Sequence, residues 1–377
     1  MALVALRWFG FAVGIVILGS TTISVVGTLV VPRGIDSRIS RACETLVDRA
    51  FLLATRRVRE FAVRDRVLAW QAPTSLLVRL AVWIGLLVIG YGLVLLPFVT
   101  DSLAHPFSEA GSSIFTLGYA APTNTTSTTL DYIAAYTGLV VVGLQVGYLP
   151  TLYAAFNRRE TQVTLLIARA GVPAWGPEIL ARTRWGIYGG DTRPVLNELF
   201  DAWERWSAEV AESHTTYLTL VRLRSPRLLS HWLTSVLAVM DAAALHLSLA
   251  PDSEPKQSSR LCLRMGFVAL NQIARTMRLP VDDDHDPDPN TDISIDEAEF
   301  ASAVDMLRAT GYPIERDTAQ AWPQFRGWRV NYDTVALALA KALDAPPTLW
   351  SGDRRWPSTP IAPKRPPNRL PRPAGPA

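Results

Sequence analysis

The sequence predicts an all-α membrane protein. It would have three transmembrane helices, a re-entrant helix and loop between the second and third, and an α-helical cytoplasmic domain. Three observations carry this expectation. Apolar residues gather in the first 156 of 377 positions, and a polar, tryptophan-containing half follows. Three apolar segments there are long enough to cross a bilayer. The arginines between them are distributed on one side only.

The first span is Trp8–Val31 and the second Leu76–Val99. Each forms roughly 36 Å of helix against a hydrocarbon core of about 30 Å. The first exceeds the length of a signal-peptide core and has no A-x-A site after it, so it reads as a retained span. The third is Asp131–Phe156, with Gln145 its one strongly polar central side chain. Nine arginines lie between Arg33 and Arg66, and Arg158 and Arg159 follow the third span, whereas residues 100–130 contain no lysine or arginine. Positive-inside bias puts 33–75 and everything after 156 in the cytoplasm and 100–130 outside, with the N-terminus outside as well. Arg79 is expected to snorkel to the inner interface. The predicted location is the plasma membrane, with the lipid bilayer as a partner.

The order of segments is a transmembrane helix (1–32), an amphipathic linker (33–75), a membrane module (76–160), a cytoplasmic helical domain (161–345) and a Pro/Arg-rich tail (346–377) expected to be disordered. The linker carries Ile39, Cys43, Leu46, Ala50, Leu53 and Phe61 among its arginines. This pattern suits either the inner membrane surface or a cytoplasmic core.

Composition excludes several functions. A net charge of +3 provides no basic field for nucleic acid. Cys43 and Cys262 are too far apart for a CxxC metal site and too few for a disulfide framework. The histidines lack ligand spacing, and no G-x-G-x-x-G is present. The glycine-rich GIYGGD (186–191) reads as a turn. No catalytic constellation is visible, so an enzyme is not expected.

Between the second and third spans, PFSEAGSSIFT (106–116) makes two to three helical turns, too short to span, with Pro106 where a first-turn proline is tolerated. Thr116-Leu117-Gly118-Tyr119 follows. Span, short helix, TxGY and span in this order resemble the pore module of the potassium channel family, whose filter reads TVGYG. The resemblance covers residues 76–160. It implies that backbone carbonyls of Thr116, Leu117, Gly118 and Tyr119, with the Thr116 hydroxyl, replace the water shell of K⁺. It also implies that Tyr119 braces the loop and that four chains close the ring as a homotetramer. K⁺ is then the permeating ion, and no cofactor is expected. Ala120 departs from the pattern, standing where the family has a final glycine. At positive φ it would cost on the order of 1 kcal/mol per chain, which bears on K⁺ over Na⁺ selectivity.

In the third span Gly138, Gly143, Gly147 and Pro150 suggest a hinge. Val141, Gln145, Tyr148, Leu152 and Phe156 recur at helical spacing and are expected to line the pore, or else to pack on a neighbouring helix. No span carries the spaced arginines of a voltage sensor. The alternative is a non-conducting, membrane-anchored sensor or scaffold with a pore-like loop.

Further on, Asp191-Thr192 opens a helix with Leu196, Leu199, Phe200, Trp203 and Val210 on its apolar face. Ser225-Pro226 is expected to cap a second helix running to Ser248, buried despite its span-like hydropathy. Helices near 258–278, 295–310 and 333–344 complete the domain. In 286–297, Asp286, Asp288, Asn290 and Glu297 take positions 1, 3, 5 and 12 of a calcium loop. However, Thr291 replaces its glycine, and Ser294 with Glu297 makes a competing capping box.

Overall fold

The computed structural model describes residues 1–31, 37–99, 102–183, 193–281, 287–356 and 358–364. Among these the chain is all-helical, with two isolated bridges in place of any strand. It divides into two compact units. Unit 1 comprises Met1–Val58, Val63–Phe156 and Thr216–Leu223; unit 2 comprises Arg59–Ala62, Asn157–Thr215 and Arg224–Ala377. Four helical stretches are long and apolar enough to cross a membrane: Ala2–Leu29, Phe61–Leu95, Thr125–Ala170 and Trp232–Leu249. This is consistent with a multi-pass membrane protein.

Unit 1 is built on α1 (Ala2–Leu29) and α4 (Gln71–Leu95), linked through α2 (Arg38–Thr55) and α3 (Phe61–Leu68). α1 and α4 cross where both are small. A Cβ added to Gly14 would lie 2.7 Å from the Gly90 carbonyl oxygen, so glycine here lets two backbones touch. Around the crossing, Trp83, Leu87, Tyr91 and Leu95 form a buried core with Val25 and Val141. The Trp83 indole N–H donates to Ser24 Oγ at 2.9 Å, giving the buried ring the partner it needs. Arg79 does not snorkel. It is buried in α4, with Nη1 3.7 Å from Glu44 of α2 and its guanidinium over the Trp83 ring, because α2 covers it. α5 (His105–Ile114) carries Pro106 in its first turn, as expected. The third predicted span lies in the N-terminal part of α6 (Thr125–Ala170). That helix outruns a bilayer: it runs on through Pro150 and ends only at Gly171, at φ +76°. α9 (Thr219–Arg222) completes the unit.

Unit 2 contains α7 (Gly176–Arg182), α8 (Arg193–Thr216), α10 (Trp232–Leu249), α11 (Lys256–Thr276), α12 (Glu297–Ala309), α13 (Thr318–Arg329) and α14 (Asp333–Leu343). Every residue of α10 is buried, which is why it is apolar on all sides. It starts at Trp232 rather than after Ser225-Pro226, capped by His231, whose side chain accepts from Leu233 N. Leu196, Leu199, Phe200, Trp203 and Val210 of α8 are buried as their spacing predicts; Asp191, Thr192 and GIYGGD lie outside the described residues. Arg329, fully buried, ties three elements together. Its Nη1 donates to Asp241 of α10, its Nε to Asp333 at 2.8 Å and its Nη2 to the Trp350 carbonyl at 2.8 Å, while Tyr332 Oη donates to Asp241 at 2.9 Å.

The tail is not loose through residue 364. Arg354 donates to the carbonyls of Ala345 (2.6 Å), Pro346 (2.5 Å) and Ser351 (2.8 Å), and Lys364 N donates to the Val172 carbonyl at 3.1 Å. Burial of Trp350 anchors it. The remainder, 365–377, lies outside the described residues.

Two buried histidines make unit 2 acid-sensitive. Arg159 Nη1 lies 3.0 Å from His214 Nε2, and His214 Nδ1 lies 3.0 Å from Ser213 Oγ. An arginine can only donate, so His214 is neutral and carries its proton on Nδ1. Burial, then the Arg159 charge, presses the His214 imidazole well below its usual range. Burial, then Arg224, does the same to His231. A base with a lowered folded-state pKa contributes its full stability above the unfolded value near 6.5 and loses it as pH falls below. Unit 2 is therefore expected to lose stability as pH falls from 7.5 to 5. Melting of the protein between pH 7.5 and 5 checks this, and a flat profile would contradict it. His214→Gln should reduce the slope.

Candidate functional site

The segment following α5 is shaped by how that helix ends. Thr116 N donates to the Ser113 carbonyl at 3.0 Å and Leu117 N to the Ser112 carbonyl at 2.8 Å. This is the paired bonding of a Schellman motif, with Thr116 in the left-handed position that glycine usually takes. Thr116 has φ 54°, an uncommon conformation for a β-branched residue, costing about 1–2 kcal/mol. Gly118 has φ +72°, and an added Cβ would meet nothing within 4 Å. Backbone conformation, not space, therefore requires glycine there. Leu117 between them is not at positive φ, so the chain alternates in handedness over 116–118.

Three amides of this segment bond to α5. Besides Thr116 and Leu117, Ala120 N donates to Ser112 Oγ at 3.2 Å. Among the described residues the carbonyls of Thr116, Leu117, Gly118 and Tyr119 accept no hydrogen bond, and all four residues are exposed. The Tyr119 hydroxyl lies 3.8 Å from the place a Cβ of Gly111 would occupy, so the ring reaches back over the short helix of its own chain. The result is an exposed, non-helical segment with the amides of Thr116, Leu117 and Ala120 bonded and four carbonyls free, at the C-terminal end of a helix whose dipole is negative there.

Ala120 is not at positive φ. The strain expected for it is absent, because the left-handed positions fall at Thr116 and Gly118.

The stripe expected to line a pore points the other way. Val141, Gln145, Tyr148 and Leu152 are buried within unit 1 and Phe156 is half-buried. Val141 belongs to the core around Trp83, while Tyr148, Leu152 and Phe156 pack with Ala72, Leu76 and Leu220. The spacing was that of the packing face, which a single sequence cannot tell from a channel-lining one. Gln145 Oε1 has no hydrogen-bond partner. The open face of α6 instead carries Tyr136, Leu139, Val142, Val146 and Tyr153, with Gly143, Gly147 and Pro150 also exposed. Gly138 is not on that face. A Cβ there would lie 2.4 Å from the Ile114 carbonyl oxygen, so Gly138 lets α6 seat the end of α5, which is a packing role and not a hinge.

Sequence reasoning missed Ser112, whose carbonyl and hydroxyl hold the amides of Leu117 and Ala120; the small-residue run Ala-Gly-Ser-Ser (110–113) was its only signal. It also missed Glu109, fully buried on α5, with Asp131 and Ser127 as polar neighbours and His105 Nε2 at 3.8 Å.

The calcium-loop residues are used otherwise. Asp286 lies outside the described residues. Asp288 Oδ1 accepts from Asn290 N at 2.8 Å, and Asn290 Oδ1 accepts from the Arg326 guanidinium at 3.0 Å, a cation where a cation ligand was expected. Glu297 is exposed in the first turn of α12. The capping box there is Asp296 with Glu299, while Ser294 bonds Asp333. Among the described residues no group of three or more ligating side chains could hold a metal ion. The chain matches no known family model, no curated protein and no solved structure.

Proposed function

We propose that the protein is a subunit of a homotetrameric cation channel of the plasma membrane, with K⁺ passing along the carbonyls of Thr116–Tyr119. The observation that carries this reading is the exposed segment in which the amides of Thr116, Leu117 and Ala120 are bonded to α5 while four successive carbonyls, Thr116 to Tyr119, accept no hydrogen bond. Free carbonyls in number are costly unless water or a ligand meets them, and a dehydrated cation needs a cage of such oxygens. One such segment cannot surround an ion. Four can, and the exposed face of α6 then becomes the surface towards the pore and the other subunits. In this reading α1, α4 and the first part of α6 span the membrane, α5 re-enters from outside, and unit 2 is cytoplasmic.

Purified protein reconstituted into liposomes is expected to carry K⁺ and Rb⁺ and to elute as particles of four chains. A cysteine placed at Thr125 should be labelled from outside intact cells. A folded monomer or dimer, or labelling only after lysis, would reject the channel. Absence of flux from a well-formed tetramer would leave a non-conducting sensor or scaffold.

A further inference from the structure

The outward face of α2 has no use inside the chain. Its two acids, Glu44 and Asp48, both turn inward. Glu44 faces Arg79 at 3.7 Å, and Asp48 accepts from Arg222 at 2.5 Å and from Gln71 Nε2 at 2.8 Å. With both acids turned inward, the exposed face carries cations, apolar groups and the neutral Thr45, and no carboxylate. Arg38, Arg49 and Arg56 make one exposed stripe. Leu46 and Leu53, 63% and 62% exposed, make a second beside it.

The position of α2 is fixed at its start and in its third turn. Its cap Ser37 donates to Ser24 of α1 at 2.5 Å, and Ser40 in its first turn is 3.0 Å from Thr28 Oγ1. Asp48 is held by Gln71, the first residue of α4. The end of one apolar helix and the start of the next therefore hold α2 level with a single membrane face. That is also the face where arginines accumulate in the sequence.

From this arrangement we infer that α2 is an interfacial helix that docks on the anionic lipid headgroups of the cytoplasmic leaflet. Leu46 and Leu53 enter the acyl boundary and Arg38, Arg49 and Arg56 meet the lipid phosphates. A two-leucine stripe buries too little to hold a helix by itself, whereas a flanking arginine row adds attraction to an anionic surface. The inference rests on the membrane placement of α1 and α4 and is independent of conduction.

The test uses a nitroxide on the Leu53→Cys variant of the full chain; native Cys43 and Cys262 are buried and free. The protein is placed in nanodiscs of phosphatidylcholine alone or with phosphatidylglycerol. With phosphatidylglycerol the probe is expected to become accessible to oxygen and shielded from a water-soluble nickel chelate. Adding Arg38→Gln, Arg49→Gln and Arg56→Gln should raise the phosphatidylglycerol fraction needed for half the change, or the salt sensitivity of the change should vanish. Three arginines at an anionic surface correspond to a factor on the order of 100. A probe that stays open to nickel in both lipids overturns the inference. So does one shielded from both reagents, which would mean a protein surface covers α2. A protein that fails to enter nanodiscs overturns the membrane placement itself, a failure recognised separately by its elution.

Discussion

Gly118→Ala is expected to reduce K⁺ flux to below about a tenth of wild type in tetramers that still assemble and insert. The new methyl has room, since nothing lies within 4 Å of it. The penalty is conformational: φ +72° costs an alanine about 1–2 kcal/mol in each of four chains, and 1.4 kcal/mol is a factor of ten. The cheapest relief is rotation of the adjoining peptide planes, which would swing carbonyls out of the proposed ring. Tyr119→Ala should act similarly by removing the ring that reaches back to Gly111. Ala120→Gly is the control and should leave flux and ion preference unchanged, because Ala120 is not left-handed. Rubidium uptake into liposomes checks all three. Wild-type uptake in Gly118→Ala would end the carbonyl-filter proposal.

Arg329→Met should lower stability by about 3–5 kcal/mol. The substitution leaves Asp241 and Asp333 buried without their cation and the Trp350 carbonyl without its donor. For a unit of this size that corresponds to a fall of about 10 °C in the melting temperature. Arg329→Lys should recover part of the loss, since the charge remains while the fork of three directed donors does not. Thermal melts followed by tryptophan fluorescence measure both. A loss under about 1 kcal/mol for the methionine variant would show that the network is dispensable.

How much of this was readable beforehand depended on whether a signal was local. The apolar lengths of α1, α4 and α6 depend only on consecutive residues. So do the first-turn Pro106 and the glycine of TLGY; α1 and α4 lie within about six positions of the expected spans, whereas α6 runs 14 residues past its expected end. α13 was not predicted, because Pro323 and Gly327 interrupt its pattern; packing of Phe325 and the ion pairs of Arg329 override their local cost. The extent of the ordered tail was hidden for a similar reason. Its proline-rich composition reads as disorder, and non-local contacts hold it: the carbonyls around Arg354, the buried Trp350 and the Lys364–Val172 backbone bond.

From residue order alone came the helical class, apolar segments of membrane length, and a glycine just after a short helix. Tertiary structure alone decided which face of α6 is spent on packing, because a period of three to four residues marks a buried stripe without naming what buries it. It also decided that Thr116, not Ala120, takes the second left-handed position. Conformation there is set by amide bonds to Ser112 and Ser113, contacts that exist only once α5 has formed and the chain has turned back against it.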